Sequence, residues 1–147
     1  MRKRNLKFLR IVIVVLSFFI LDRLLKIWFF SQPTKKFRFL FFQLSLYKND
    51  KIFFGLIPFN FLTIIFSLVI LFYLVYWLFC FWRQSQFFSF FAGSLIFVGA
   101  FSNLIDRFRY GFVIDYLAWP LNFFNLADLM ILVGVIILVI ELIFKEK

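Results

Sequence analysis

FFNLADLMILVGVIILVIEL, residues 123–142, decides what kind of molecule this chain is. After Asp128 it runs apolar from Leu129 to Ile140 before meeting Glu141. A bilayer needs about 20 such residues to be crossed by one helix, so this stretch reads as a membrane span. An aspartate inside a span costs roughly 2.5–3.5 kcal/mol on insertion scales, and a residue that expensive asks for a reason.

The whole chain carries the same signature. Of its 147 residues 65% are hydrophobic, and 28 are Phe. A soluble domain of that length has too little interior to hide so much apolar surface, which makes lipid the solvent. Residues 1–147 read as a single integral membrane domain. The net charge of +10 belongs to flanks that meet anionic headgroups and set topology, and no nucleic-acid partner is expected. Cys80 is the only cysteine, which removes disulfide and dithiol chemistry. Histidine is absent, which removes Ser-His-Asp and Cys-His nucleophiles and metal sites of the HExxH kind. No ligand cluster has metal spacing, so neither metal nor cofactor is expected. Acid–base work falls to Asp, Glu, Lys or Tyr.

Working outward from residues 123–144, three more spans are predicted, over about 8–30, 59–82 and 87–106. RQSQ, residues 83–86, makes a tight turn between the second and third. The basic start MRKRNLKFLR followed by Ile11 to Leu21 resembles a signal peptide, but no small-residue cleavage site follows, so it is read as an attached first span. Residues 31–58, bounded by Pro33 and Pro58, are too polar to span. The alternation of Gln43, Leu44, Ser45 and Leu46 predicts a strand at the interface, and KND (48–50) a turn into a second strand from Lys51 to Leu56. The expected fold is an all-α membrane protein of four transmembrane helices with a small interfacial β-sheet in the first external loop.

Four antiparallel helices gather the polar residues at one membrane face. Asp22 and Lys26 lie toward the end of the first, Asn60 and Thr63 open the second, Asn103, Asp106 and Arg107 end the third, and Asn125 and Asp128 begin the fourth. Gly99, Asn103 and Asp106, at i, i+4 and i+7, form one stripe, with Gly99 allowing close helix approach. Asp22 and Lys26, at i and i+4, are placed to pair. Asp106 with Arg107 reads as a structural ion pair at a helix end. Basic residues are divided almost evenly between the two faces, but Arg2, Lys3, Arg4, Lys7 and Arg10 crowd the first ten positions. They predict cytoplasmic termini and an outward-facing polar cluster.

Asp115 and Asp128 are thirteen residues apart, with Trp119-Pro120 between them to turn the chain. Two carboxylates brought together at a membrane rim cannot both ionise cheaply, so one holds a proton and the other does not. That suits peptide hydrolysis, in which one carboxylate activates water and the other polarises the carbonyl. On the residues alone it suits an ion or proton pathway equally.

GAFSNLIDR (99–107), GFVID (111–115) and FNLAD (124–128), in that order, together with DRLLK (22–26), resemble the signature blocks of the lipoprotein signal peptidases, or signal peptidase II. The resemblance covers nearly the whole chain. It implies an intramembrane aspartyl endopeptidase; a monomer in the bacterial cytoplasmic membrane is expected. Its substrates would be prolipoproteins, cut just before the diacylglyceryl-modified cysteine. It implies Asp115 and Asp128 as catalytic aspartates, with Asp22, Lys26, Asn49, Gly99, Asn103, Asp106, Arg107, Asn125 and Ala127 in support. NDKIFFG (49–55) departs from the family, having Lys51 and Ile52 where Gly and Ala are usual. Two other classes compete: a small four-helix carrier, which would want its charge near mid-membrane, and a non-catalytic assembly subunit whose polar cluster joins helices.

Overall fold

The computed structural model describes residues 2–39, 42–52, 57–58, 61–119 and 122–145. They form helices α1 (Arg2–Ser31), α2 (Phe61–Arg83), α3 (Phe87–Tyr110) and α4 (Leu126–Lys145). The strands are β1 (Phe37–Phe39), β2 (Phe42–Asn49), β3 (Lys51–Ile52), β4 (Ile57–Pro58), β5 (Val113–Trp119) and β6 (Asn122–Phe124). Among them 3 helices are long and apolar enough to cross a membrane: Ile64–Arg83, Phe87–Tyr110 and Leu126–Phe144. The first helix is longer than the expected 8–30, taking in the basic N-terminus, and α3 runs one turn past 106.

Local chemistry sets the ends. Asn125 caps α4: its side-chain oxygen accepts from the Asp128 N–H at 3.0 Å, while the Asp128 carboxylate accepts from the Asn125 N–H at 3.2 Å. This reciprocal box satisfies two donors that a helix start leaves unpaired. The α3 end is closed by Gly111, whose φ of 77 is the left-handed conformation and whose N–H reaches the Arg107 carbonyl at 3.0 Å. The predicted turn after α2 is present, with Ser85 at a φ of 58.

α3 and α4 pack with small residues at both ends of their contact. A Cβ added to Gly99 would lie 2.5 Å from the Ala127 carbonyl oxygen, and one added to Gly134 would lie 2.6 Å from that of Ala92. Backbone against backbone is the usual way for helices to adhere where lipid removes the hydrophobic drive.

The sheet corrects the sequence reading. Its order is β1-β2-β5-β6, antiparallel throughout, so it joins both inter-helical segments instead of lying within the first. The 48–50 turn does not fold a second strand back on β2. β3 pairs with β4 in a separate two-stranded sheet, and β2 pairs with β5. Residues 53–56 of the expected strand lie outside the described residues. β5 is central, with Val113, Ile114, Asp115 and Tyr116 all buried. It docks on α1 through Tyr116, whose ring stacks on Phe29 at 5.3 Å.

Candidate active site

The site is assembled where the end of α3 and the start of α4 meet β5. Asp115 is fully buried and each of its carboxylate oxygens is held. Asn125 donates to Oδ1 at 2.6 Å, and Asn49 at the end of β2 donates to Oδ2 at 2.8 Å. Asp128, half-buried in the first turn of α4, accepts from Asn103 at 2.7 Å on Oδ1 and from the Asn125 backbone on Oδ2. Asn125 therefore touches both aspartates, and it also reaches Asn103 Oδ1 at 3.2 Å. The β2–β5 register places Tyr47 opposite Asp115, beside an irregularity between Leu44 and Tyr47. Bulges of this kind re-aim side chains next to sites.

Burial dominates the electrostatics of Asp115. Burial, and then the charge of Asp128, push Asp115 up to about 7. The amides of Asn49 and Asn125 and the more distant Lys26 ammonium pull the other way without cancelling it. A carboxyl in that state can carry a proton at neutral pH.

A charged cluster lies behind the pair. Lys26, with no exposed surface, sits 3.1 Å from Asp22 and 2.8 Å from Asp106 and donates to Asn103 Oδ1 at 2.8 Å. An ammonium has only protons to give, so it fixes the Asn103 oxygen toward itself and the NH2 toward Asp128. Arg23 closes the cluster 2.6 Å from Asp106. Two buried carboxylates thus meet two cations, which is the only inexpensive way to bury either sign.

The pair expected between Asp106 and Arg107 is not formed. Consecutive helix residues point away from each other, and Asp106 faces α1, where Arg23 and Lys26 hold it. Half-buried Arg107 keeps an Nε without a hydrogen-bond partner among the described residues. Gly99 and Ala127 form the close α3–α4 contact, and the Ala127 N–H also donates to Asp22 Oδ1 at 3.2 Å. Thr63 falls in the first turn of α2, while Asn60 lies outside the described residues.

Sequence reasoning missed Arg23, Ser102 and Tyr116. Ser102 donates to Asp22 Oδ2 at 2.6 Å. The Tyr116 hydroxyl donates to Asp22 Oδ1 at 3.0 Å and accepts from the Leu126 N–H at 3.0 Å, tying β5 to α1 and to the start of α4. Burial and the neighbouring Asp22 carboxylate raise the phenol above its ordinary range, so it stays a donor. The available signal was position: Arg23 lies inside DRLLK, and Tyr116 follows Asp115, where a buried phenol requires a partner.

The chain is similar to known proteins over most of its length. Residues 14–144 match the family described as signal peptidase (SPase) II. The lipoprotein signal peptidase of Halothermothrix orenii is 38% identical over 111 residues, covering 72% of this chain and 73% of that protein. That of Syntrophus aciditrophicus is 34% identical over 124 residues, 73% of each. A bacterial membrane enzyme solved by the in meso method at 2.3 Å superposes with a TM-score of 0.82 at 25% identity, over 94% of this chain and 90% of that one.

Proposed function

The chain belongs to the signal peptidase II family, and on that premise we propose that it is an intramembrane aspartyl endopeptidase with Asp115 and Asp128 as its catalytic pair. Its substrates are diacylglyceryl-modified prolipoproteins, from which it removes the signal peptide. The observation that carries the reading is the shared asparagine: Asn125 holds Asp115 with its side chain and Asp128 with its backbone N–H, in unequal surroundings.

The roles follow from those surroundings. Asp128, the less buried of the two, is the ionised partner that takes a proton from water. Fully buried Asp115 holds a proton, which it gives to the carbonyl oxygen as the water oxygen bonds to carbon. The proton taken up by Asp128 then passes to the leaving nitrogen as the C–N bond breaks, and Asp115 takes its proton back from the hydroxyl as the carbonyl re-forms. Asn103, fixed by Lys26, and Asn49 keep the two carboxylates from turning away.

The working unit is a single membrane domain that acts as a monomer in the bacterial cytoplasmic membrane, with α1 as its fourth span. At 1.5 Å per residue α1 is about 45 Å long, enough to cross a bilayer. Its inner charges, Asp22 and Lys26, have no exposed surface, while Leu9, Ile13, Ile20, Leu24 and Ile27 on its outer face are exposed. A mean over the helix hides that division.

Asp115→Asn and Asp128→Asn test the proposal. Each leaves the shape of the side chain but cannot take or give the proton, so each lowers cleavage by at least about a hundredfold, the low end for a positioned acid or base. The double variant loses little more, because the two act as a unit. Purified variants are incubated with lipidated precursor and the mature product is separated from it. Near-normal product from either single variant ends the aspartyl reading.

A further inference from the structure

At the end of the molecule opposite the aspartates, α1, α2 and α3 leave an open apolar groove of about 460 Å³. Phe8 and Val12 of α1, Leu78 and Trp82 of α2, and Phe90 of α3 are among the residues that form it. It lies roughly 20 Å along the helices from Asp22 and Asn103, too far to be part of the catalytic site.

Three cations gather at this end, each over an aromatic ring. The Arg4 guanidinium lies 5.7 Å from the Trp82 ring, the Lys7 ammonium 5.1 Å from Phe87, and the Arg83 guanidinium 5.8 Å from Phe79. Among the described residues none of the three has a carboxylate partner. The Arg4 Nε is buried with no hydrogen-bond acceptor among the described residues. A buried, unmet guanidinium donor is costly unless an oxygen arrives from outside the chain.

We propose that this groove is a binding site for an anionic phospholipid, with an acyl chain along Val12, Leu78 and Phe90 and the phosphate among Arg4, Lys7 and Arg83. The apolar wall and the cationic rim match the two halves of such a lipid. A zwitterionic headgroup would bring its own cation to a rim that already holds three. Phosphate is the natural bidentate acceptor for an arginine, and basic pockets between spanning helices are where anionic headgroups are held. The surrounding surface is apolar helix, with Phe72 and Phe88 strongly exposed, so lipid is the molecule at hand.

Native mass spectrometry of the delipidated full-length protein tests this, with phosphatidylglycerol or phosphatidylcholine of the same acyl chains. The unmodified protein retains phosphatidylglycerol in preference. Replacing Arg4, Lys7 and Arg83 by Gln reduces that preference by roughly fivefold for each cation neutralised. Val12→Trp, which fills the groove and leaves the cations, lowers retention of both lipids. The unmodified protein supplies a control that needs no substitution: its preference weakens as ionic strength rises, because screening acts on the phosphate contact. Equal retention of the two lipids by the unmodified protein overturns the proposal. So does a preference that survives both salt and the triple substitution, or displacement of phosphatidylglycerol by a lipidated substrate peptide, which would give the groove to the substrate.

Discussion

Asp115 and Asp106 are both buried carboxylates, and their different neighbours give them different work. Asp115 faces Asp128 and two amides, and its raised pKa of about 7 means that the shared proton is present below that pH and lost above it. Activity should therefore fall on the alkaline side with an apparent pKa near 7 that belongs to the pair. A rate profile on lipidated substrate that stays flat through that region would contradict the assignment. Asp106 instead accepts from Arg23, Lys26 and the Ile114 N–H, away from the pair. Asp106→Asn strands part of the charge on two cations, and breaking a buried ion pair costs about 3–5 kcal/mol. Its thermal midpoint should fall sharply while the folded fraction still cleaves. Asp22, Asn103, Asp106, Asn125 and Asp128 were legible in the sequence because their types are costly in lipid and recur at helical spacing, whereas Asn49 was named only through the family resemblance. Arg23 was not, because its partner is 83 residues away. The neighbour pairing of Asp106 with Arg107 ignored that adjacent helix positions diverge.

Helices announced themselves by length and hydropathy, and β2 by its alternation at 43–46; the central strand β5 did not. β5 is buried on both faces from Val113 to Tyr116, so it lacks the alternation that marks a half-exposed strand, and its partner β2 lies far back in the chain. The expected hairpin at 48–50 used the nearest candidate instead. The α3–α4 contact was partly legible, since Gly99 on a polar stripe implies close approach, and its geometry now ranks three glycines. At Gly99 an added Cβ would meet the backbone oxygen of Ala127, beside Asp128, and a backbone atom cannot step aside. At Gly93 it would meet a terminal carbon of Leu78 at 3.1 Å, which can rotate. Gly99→Ala should cost about 1–3 kcal/mol, the usual range for overpacking. It should also cut cleavage at least tenfold, since a 1 Å displacement at a site is worth about that and more. Gly134→Ala meets the Ala92 oxygen, farther from the aspartates, and should lose stability with less effect on turnover. Gly93→Ala should be nearly silent in both. Thermal melts in detergent and product yield, measured on all three, separate these outcomes; equal loss in Gly93→Ala and Gly99→Ala would remove the close-contact argument.

Across the whole molecule, the two aspartates of the proposed pair and the cluster of Arg4, Lys7 and Arg83 sit at opposite ends of the helices. On the proposed four-span reading, the termini share one side, and the sheet and both aspartates share the other. On that reading the cations near the start of α1, with Arg83 at the end of α2, would be the retained charges that set orientation, since basic segments resist translocation. The opposite face carries basic residues as well, but they occur later in the chain, after the first span has been oriented. The termini should therefore be cytoplasmic and the catalytic pair should open toward the outer face, where an exported precursor presents its modified cysteine. Exposed Lys35, in the segment between α1 and β1, reports on that face. With Cys80 replaced by Ala, Lys35→Cys should react with a membrane-impermeant maleimide on intact cells, and Arg2→Cys should react only after the cells are opened. The reverse pattern would invert the protein in the membrane and leave the pair facing a compartment that its substrates have already left.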